Sequence, residues 1–111
     1  MDTRVDAVFD ALSDPSRRYL VERLTALGSS TPTELARELP MTRQAVSKHL
    51  EQLEQVGLAH GSREGRRTVY HADLRPLRHA SEWLERVGGQ WDDRLAALRR
   101  HADERRALDR E

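Results

Sequence analysis

Apolar residues recur at three- and four-residue steps through most of the chain, which is the pattern of amphipathic helices. A first short helix is predicted at residues 3–12, and its apolar side comprises Val5, Val8, Phe9 and Leu12. A second helix follows Asp14-Pro15, because Asp is a good N-cap and Pro is tolerated at the first helical position. Gly28 is expected to end this helix as a C-terminal cap. The pattern therefore predicts N-terminal helices within residues 1–28.

Two capped helices separated by a short break are predicted within residues 31–57. Thr31 and Glu34 have the spacing of a capping box, in which each side chain pairs with a backbone N–H group of the other residue. Pro40 and Met41 break the chain before the second helix. Two helices at this interval are typical of a helix-turn-helix, although a structural αα-hairpin has the same spacing.

The second of these helices is predicted to run from its N-cap, Thr42, to Gly57. Its inward face is formed by residues at steps of four, three and four, namely Val46, Leu50, Leu53 and Gly57. No acidic residue occurs from Leu39 to Leu50. Polar groups near a helix start suit phosphates and base edges, but an ordinary amphipathic helix also has a polar outer face. The candidate DNA-contacting residues here are Thr42, Arg43, Gln44, Ser47, Lys48 and His49.

Residues 58–72 change to a β pattern. Short β-capable stretches at 58–60 and 68–71 flank a polar centre, which predicts a hairpin with a flexible tip over residues 61–67. That tip carries Arg63, Arg66 and Arg67. Arginine donors suit phosphates and a narrow minor groove. A solvated loop is the alternative, but three arginines beside a predicted helix-turn-helix favour a DNA-contacting wing.

Residues 74–108 are predicted to form a long C-terminal helix whose apolar residues repeat close to a heptad seam. This seam has more apolar surface than docking onto a small domain needs, so part of it is expected to contact a second copy of the chain. Gly88-Gly89 interrupts the helix and predicts a kink or a close helix–helix approach. The charged tail from His101 onward is expected to fray.

Composition narrows the class of protein. The 111 residues fit a single domain, 1–111, with one core. No apolar run approaches the roughly 20 residues that a membrane span requires. The N-terminus lacks the pattern of a signal peptide. The chain has no cysteine, which excludes disulfides and thiolate metal sites. These features predict a cytoplasmic protein without a membrane partner.

The net charge is zero, but the charges are unevenly distributed. Residues 1–57 carry seven Arg or Lys against nine Asp or Glu, and residues 73–111 carry nine of each. Residues 58–72 carry three arginines and one acidic residue, Glu64. A local basic surface permits DNA binding, although long-range electrostatic steering should be weak. No constellation of catalytic residues or phosphate-binding loop is present, so the chain is not expected to be an enzyme.

Three stretches in this order, DALSDPSRRYLVERL, TPTELARELPMTRQAVSKHLEQLEQVGL and REGRRTVYHAD, resemble the ArsR/SmtB family of winged-helix transcriptional repressors. The likeness covers roughly residues 5–100, and the end looks like the branch with a long Trp-containing C-terminal helix. It implies a mainly helical winged helix-turn-helix with a small β-hairpin. It also implies a homodimer built from the first and last helices, with recognition helices about 34 Å apart in successive major grooves. The implied dimer contacts are Val5, Val8, Phe9, Leu84, Val87, Trp91, Leu95 and Leu98.

By position, the polar residues of the second helix and the hairpin arginines match the family's DNA-contacting residues. Arg17 and Arg18 could flank phosphates or form internal ion pairs, and the sequence leaves both roles open. The implied function is a homodimeric repressor of double-stranded operator DNA, with regulation of its own operon as one option. The alternative is a winged-helix module for protein–protein assembly with only non-specific DNA affinity.

The chain departs from the metal-sensing members of the family, which use cysteines or Asp/His/Glu sets. His101 and Glu104 supply half of such a set, but Gly88 and Gln90 stand where partners are expected. Zn²⁺ usually takes four ligands, so no metal site and no cofactor are expected. Trp83 and Trp91 fit a core or a dimer seam better than a ligand site, and the sequence identifies no small-molecule effector.

Overall fold

A computed structural model describes residues 3–109, which form five helices and a two-stranded antiparallel sheet. The elements are α1 (Thr3–Leu12), α2 (Pro15–Leu27), α3 (Pro32–Ala36), α4 (Arg43–Gln55), β1 (Ala59–Glu64), β2 (Arg67–Ala72) and α5 (Leu77–Asp109). The predicted class, mainly helical with a small β-hairpin, is confirmed. The predicted ranges 1–28 and 1–111 extend to residues 1, 2, 110 and 111, which lie outside the described part.

The chain divides into two compact units, one up to Ala80 and one from Ser81 onward. The first unit contains α1 to α4, the hairpin and the first turn of α5. The second unit is the remainder of α5. Among residues 3–109, no helix has both the length and the apolarity to cross a membrane.

The predicted caps of α2 are confirmed. The Asp14 carboxylate accepts hydrogen bonds from the backbone N–H groups of Ser16, at 2.7 Å, and Arg17, at 3.3 Å. Gly28 has a φ of +83°, a conformation in which glycine has no side-chain penalty. Its N–H group donates to the Leu24 carbonyl at 2.9 Å, so one of the free carbonyls at the helix end is satisfied.

Only one of the two hydrogen bonds of the predicted capping box forms at α3. The Thr31 hydroxyl accepts from the Glu34 N–H group at 3.2 Å, as predicted. The Glu34 carboxylate accepts instead from the Ser30 hydroxyl at 3.0 Å. Ser30 is itself fixed to β2, since its backbone exchanges hydrogen bonds of 2.9 and 2.8 Å with Tyr70. The start of α3 is therefore anchored to the hairpin as well as to its own cap.

Helix α4 begins as predicted but ends two residues early. The Thr42 hydroxyl accepts from the Ala45 N–H group at 3.1 Å. The helix ends at Gln55, and Gly57 has a φ of +79°, which turns the chain toward β1. Gly57 is thus a turn residue, and its assignment to the inward helical face was wrong.

The hairpin is longer and tighter than predicted. β1 and β2 pair from Ala59 opposite Ala72 to Glu64 opposite Arg67, which leaves a turn of two residues. Gly65 has a φ of +65°, and glycine at the first central position is typical of a type II′ turn. The predicted flexible tip over residues 61–67 was wrong, because most of these residues find backbone partners across the sheet.

The core of the first unit lies among α2, α3, α4 and the base of the hairpin. Residues with no exposed surface come from each of these elements: Leu20, Leu24, Leu35, Val46, Leu50, Leu53, Leu58 and Ala59. In α1, Val5, Val8 and Ala11 are buried within the protomer, although Val5 and Val8 were predicted as dimer contacts. Phe9 is 37% exposed, so it lies at the edge of the apolar side of α1.

A charged contact fixes the end of the α3 region to α2. The Arg23 guanidinium donates to both carboxylate oxygens of Glu38, at 2.8 and 3.0 Å. The Tyr19 hydroxyl donates to the same carboxylate at 3.2 Å. The Arg23 hydrogen bonds hold the pKa of Glu38 below its usual value. Two side chains of α2 therefore position the turn that leads into α4.

Helix α5 begins three residues later than predicted. The Asp73 carboxylate accepts from the Arg75 N–H group at 3.0 Å and forms a turn before the helix. The helix then runs without a break through Gly88 and Gly89, where a kink or a close helix–helix approach stays a prediction. Residues of the predicted fraying tail are helical up to Asp109. Only Ala80 is buried in it.

Candidate nucleic-acid interface

The polar side of α4 is oriented by the packing of its apolar side. Val46, Leu50 and Leu53 have no exposed surface, so the rotation of the helix about its axis is fixed. The opposite side is accessible at four of the predicted positions, and a fifth, Ser47, is half-buried. The four exposed residues are Thr42, Arg43, Gln44 and Lys48.

His49 lies apart from these residues. It is half-buried, and its Nδ1 atom is buried without a hydrogen-bond partner among the described residues. Its neighbour is the α2 cap: burial raises the pKa of Asp14, but the N–H groups of Ser16 and Arg17 and the nearby His49 outweigh this and lower it. His49 is therefore partly buried near the cap of α2, and its Nδ1 atom is not accessible.

A groove of about 430 Å³ joins the start of α3, the first turns of α4 and the hairpin. Two predicted residues of α4 line it together with all three predicted hairpin arginines. These five residues are Arg43, Ser47, Arg63, Arg66 and Arg67. The groove thus brings together side chains that come from two separate parts of the sequence.

Arg37 is a fifth arginine in this groove, and sequence analysis missed it. It follows α3 directly, four residues after Thr33, which also lines the groove. Residues four apart share one helix face, and Leu35 lies buried between them in sequence. This spacing indicates that Arg37 shares a helix face with Thr33. The prediction took polar contacts only from the second helix of the pair.

Glu34 is the only carboxylate that lines the groove within the described residues. Its Oε1 atom lies 3.8 Å from Nη1 of Arg67, and Glu64 lies 3.8 Å from Nη2. All three side chains are more than half exposed, so these ion pairs are weak and screened by solvent. Arg63 and Arg66 form no ion pair with any residue of the described chain. The groove therefore retains an excess of positive charge.

Arg17 and Arg18 both form internal contacts, and the alternative role of flanking phosphates stays a prediction. Arg17 is 15% exposed, and its guanidinium donates to the carbonyls of Ala11, at 2.6 Å, and Asp10, at 3.3 Å. Arg18 donates to the Leu12 carbonyl at 2.6 Å. The two arginines thereby satisfy carbonyls at the end of α1, a helix with no basic residue in its last turn.

The predicted dimer residues fall into two groups. Val5 and Val8 are buried within the protomer. The other six are exposed: Phe9, Leu84, Val87, Trp91, Leu95 and Leu98. Across residues 3–109, no three His, Asp or Glu side chains are grouped closely enough to hold a metal ion.

Comparison with known proteins agrees with this arrangement. A helix-turn-helix domain family matches residues 12–61. With the hairpin beside α4, the match defines a winged helix-turn-helix transcriptional regulator, a class that binds DNA and is not enzymatic.

The chain is similar to the uncharacterised HTH-type regulator YuzN of Bacillus subtilis, with 35% identity over 92 residues, 77% of this chain and 100% of that protein. It is 29% identical over 77 residues to the transcriptional repressor SdpR of the same organism, covering 69% of this chain and 84% of SdpR.

A solved structure shows the same family. The ArsR-like transcriptional regulator from Rhodococcus sp. RHA1 is 37% identical and superposes with a TM-score of 0.70. The superposition covers 88% of this chain and 92% of that one. The chain therefore belongs to the ArsR family of winged helix-turn-helix transcriptional regulators.

Proposed function

We propose that the chain is a homodimeric repressor that binds operator DNA through the arginine groove, without a metal or other cofactor. The groove supports this most directly, because it combines five arginines with a single carboxylate beside the polar side of α4. Such a surface suits the phosphate backbone, which supplies much of the affinity of DNA-binding proteins.

The proposed DNA-contacting residues, in the groove and on the exposed side of α4, divide into two roles. In a helix-turn-helix, the first turns of the second helix contact base edges in the major groove. Gln44, Ser47 and Lys48 would read bases from α4, while Thr42 and Arg43 would contact phosphates at its start. Phosphate contacts fix the register of the protein on DNA but carry no sequence information. The hairpin arginines would bind the backbone or a narrow minor groove. His49 would contribute least, since its Nδ1 atom is buried.

A second copy of the chain would cover the apolar residues of α5. Leu84, Val87, Trp91 and Leu95 follow one another at steps of three and four and are all exposed. A seam of this kind is typical of helices that pair with another helix. The repressor role is supported by the likeness to SdpR, which is named a transcriptional repressor. A symmetric dimer would place two copies of α4 about 34 Å apart.

A gel-shift experiment with the DNA upstream of the gene tests this proposal. We expect tight binding of one dimer that scrambled duplex does not displace. If each protomer neutralises about three to five phosphates, the slope of log K against log salt should lie near −5 to −9. Equal affinity for both duplexes would contradict sequence-specific binding and would favour the protein–protein module.

Two substitutions separate the proposed roles. Arg66→Ala should weaken binding to all duplexes by a similar factor, since it removes a phosphate contact. Gln44→Ala should reduce the discrimination between operator and scrambled duplex. Arg99→Ala, an exposed residue of α5 outside the groove, is the matched control. Unchanged discrimination in Gln44→Ala would refute the base-reading role of this residue.

A further inference from the structure

Glu34 brings the only negative charge to the lining of the arginine groove within the described residues. Its side chain is 51% exposed, yet both carboxylate oxygens have a neighbour. Oε2 accepts from the Ser30 hydroxyl at 3.0 Å, and Oε1 lies 3.8 Å from Nη1 of Arg67. The carboxylate therefore lies on the same surface that the proposed function assigns to DNA phosphates.

The position of this carboxylate is fixed by the surrounding backbone. Glu34 lies in the first turn of α3, where its N–H group donates to the Thr31 hydroxyl at 3.2 Å. Ser30 is 3% exposed, and its backbone pairs with Tyr70 of β2. Because the hydroxyl that donates to Oε2 is anchored to the hairpin, the Glu34 side chain loses little further conformational freedom when Oε1 pairs with Arg67.

Arg67 differs from the other arginines of the groove. It has two carboxylate neighbours, since Glu34 of α3 lies 3.8 Å from Nη1 and Glu64 of β1 lies 3.8 Å from Nη2. A phosphate oxygen would offer this guanidinium the same kind of charged acceptor. Within residues 3–109, no ion pair forms at the other four groove arginines, namely Arg37, Arg43, Arg63 and Arg66.

A DNA phosphate must compete with these carboxylates for Arg67. Each ion pair is exposed and weak, so the competition reduces the contribution of Arg67 to DNA binding and does not abolish it. Arg63 and Arg66 release only water and counterions when they contact a phosphate. Glu64 does not line the groove, whereas Glu34 lies within it. Glu34 is therefore the carboxylate that competes most directly with DNA.

We propose that Glu34 limits the affinity for DNA by competing with phosphates for Arg67. The role of Glu34 rests on the proposed function, because both concern the same groove. Glu34 does not itself contact DNA, and it is a positioning residue that acts through Arg67. Phosphate contacts carry no sequence information, so it lowers the affinity for operator and scrambled duplex by similar factors. The consequence is a lower occupancy of the many non-operator sequences that a genome offers.

Glu34→Gln tests this role, because it removes the charge and keeps an oxygen that can accept from the Ser30 hydroxyl. Binding of the full chain to a fluorescein-labelled scrambled duplex is followed by anisotropy between about 50 and 200 mM salt. We expect the substitution to tighten binding about three- to tenfold at low salt. Each Arg67 that gains a phosphate should make the slope of log K against log salt more negative by about 0.9. Unchanged or weaker binding would overturn the proposal.

A double-mutant cycle tests whether Glu34 acts through Arg67. In an Arg67→Gln background, the gain from Glu34→Gln should fall below about twofold, because the arginine that it would release is missing. A carboxylate that simply repelled the DNA backbone would give the same gain in both backgrounds. That result would refute the role of Arg67 and, with it, the proposal.

Substitution of the arginines gives a measurement that leaves Glu34 intact. Arg66→Gln and Arg67→Gln remove the same charge from neighbouring exposed positions of the hairpin. Arg66→Gln should make the salt slope less negative by about 0.9 per protomer, whereas Arg67→Gln should change it by less than about half of that. Equal changes in slope would contradict the competition at Arg67.

Glu22→Gln is the matched control for net charge. Glu22 is an exposed carboxylate of α2 that does not line the groove, and its substitution should change the affinity less than about twofold. A gain equal to that of Glu34→Gln would show an effect of net charge alone and would overturn the proposal. Urea unfolding of each variant confirms that the chains compared are folded.

The two duplexes distinguish a failure of this role from a failure of the proposed function. If the wild-type chain binds upstream and scrambled duplex equally while the cycle behaves as expected, the role of Glu34 stands and the operator assignment fails. If the wild-type chain prefers the upstream duplex and Glu34→Gln has no effect, the operator assignment stands and the role of Glu34 is refuted. Absence of salt-sensitive binding to either duplex would overturn both.

Discussion

The two units of the chain differ in how their apolar side chains are accommodated. In the first unit, residues such as Leu24 and Leu50 are completely buried among α2, α3, α4 and the hairpin. In the second, Trp91 and Leu98 are more than half exposed, although they belong to one apolar seam. The first unit therefore has a core of its own. The second has an apolar surface that gains stability only against another surface.

The largest expected effect is a loss of stability on truncation of a core residue of the first unit. Leu50→Ala removes a buried side chain from the core and should lower the free energy of unfolding by about 2–5 kcal/mol. Because the contacts lie within one protomer, the loss should not depend on protein concentration. Leu98→Ala is the matched substitution in α5, and any loss there should shrink as the protein is diluted below the dimer Kd, because the seam stabilises only the associated form. Urea unfolding at several protein concentrations measures both. Concentration-independent losses of equal size would remove the distinction between the units.

Association of two chains should depend on the second unit. Trp91→Ala truncates the largest exposed side chain of the seam and should weaken the dimer by about 2 kcal/mol or more, roughly 30-fold in Kd. Gln90→Ala, at the neighbouring exposed position, is the control. Analytical ultracentrifugation of both variants measures the dimer Kd. A dimer unaffected by Trp91→Ala would place the interface elsewhere.

Arg17 should matter more than Arg18 for the stability of the first unit. Arg17→Ala leaves the Ala11 and Asp10 carbonyls and Gln52 without their partner and should cost about 1.5–2 kcal/mol, because hydrogen bonds from a charged donor contribute strongly. Arg18→Ala removes one exposed bond and should cost less than about 1 kcal/mol. Urea unfolding of the two variants gives the comparison, and the reverse order would contradict the assigned contacts.

The smallest effect concerns acid stability. The pKa of Asp73 is lower in the folded chain than the 3.8 of a free carboxyl, chiefly through the hydrogen bonds of Arg75. Its stabilising contribution is therefore complete above pH 3.8 and is lost as the pH falls toward the folded value. Asp73→Asn should be less stable than wild type at pH 7, and the difference should shrink as the pH falls to about 2. Urea midpoints across this range test the trend, and a difference that widens in acid would contradict it.

Local features of the fold could be predicted from the sequence because their causes are local. Asp14, Gly28 and Thr42 cap helices through contacts with residues two to four positions away. The turn at Gly57 was missed because the three- and four-residue apolar pattern continues through it. The extent of the hairpin was underestimated, since polar residues can pair in a strand when both faces are largely exposed.

The candidate site could be predicted only in part. The arginines of the hairpin and the polar side of α4 were identified from their composition, but their meeting in one groove depends on tertiary packing. Arg37 joins them because α3 lies beside the hairpin. Arg17 has long-range partners, including Gln52, 35 residues away, so its sequence neighbours gave no indication of its role. His49 was assigned from helical position alone, which did not reveal that its Nδ1 atom is buried.

Hydroxyl-radical footprinting of the upstream duplex tests the central claim most directly, namely that the first unit binds DNA and the second pairs two copies of it. The wild-type chain should protect two tracts whose centres lie about 10–10.5 base pairs apart on one face of the helix. A single tract, or continuous protection without this spacing, would contradict the account.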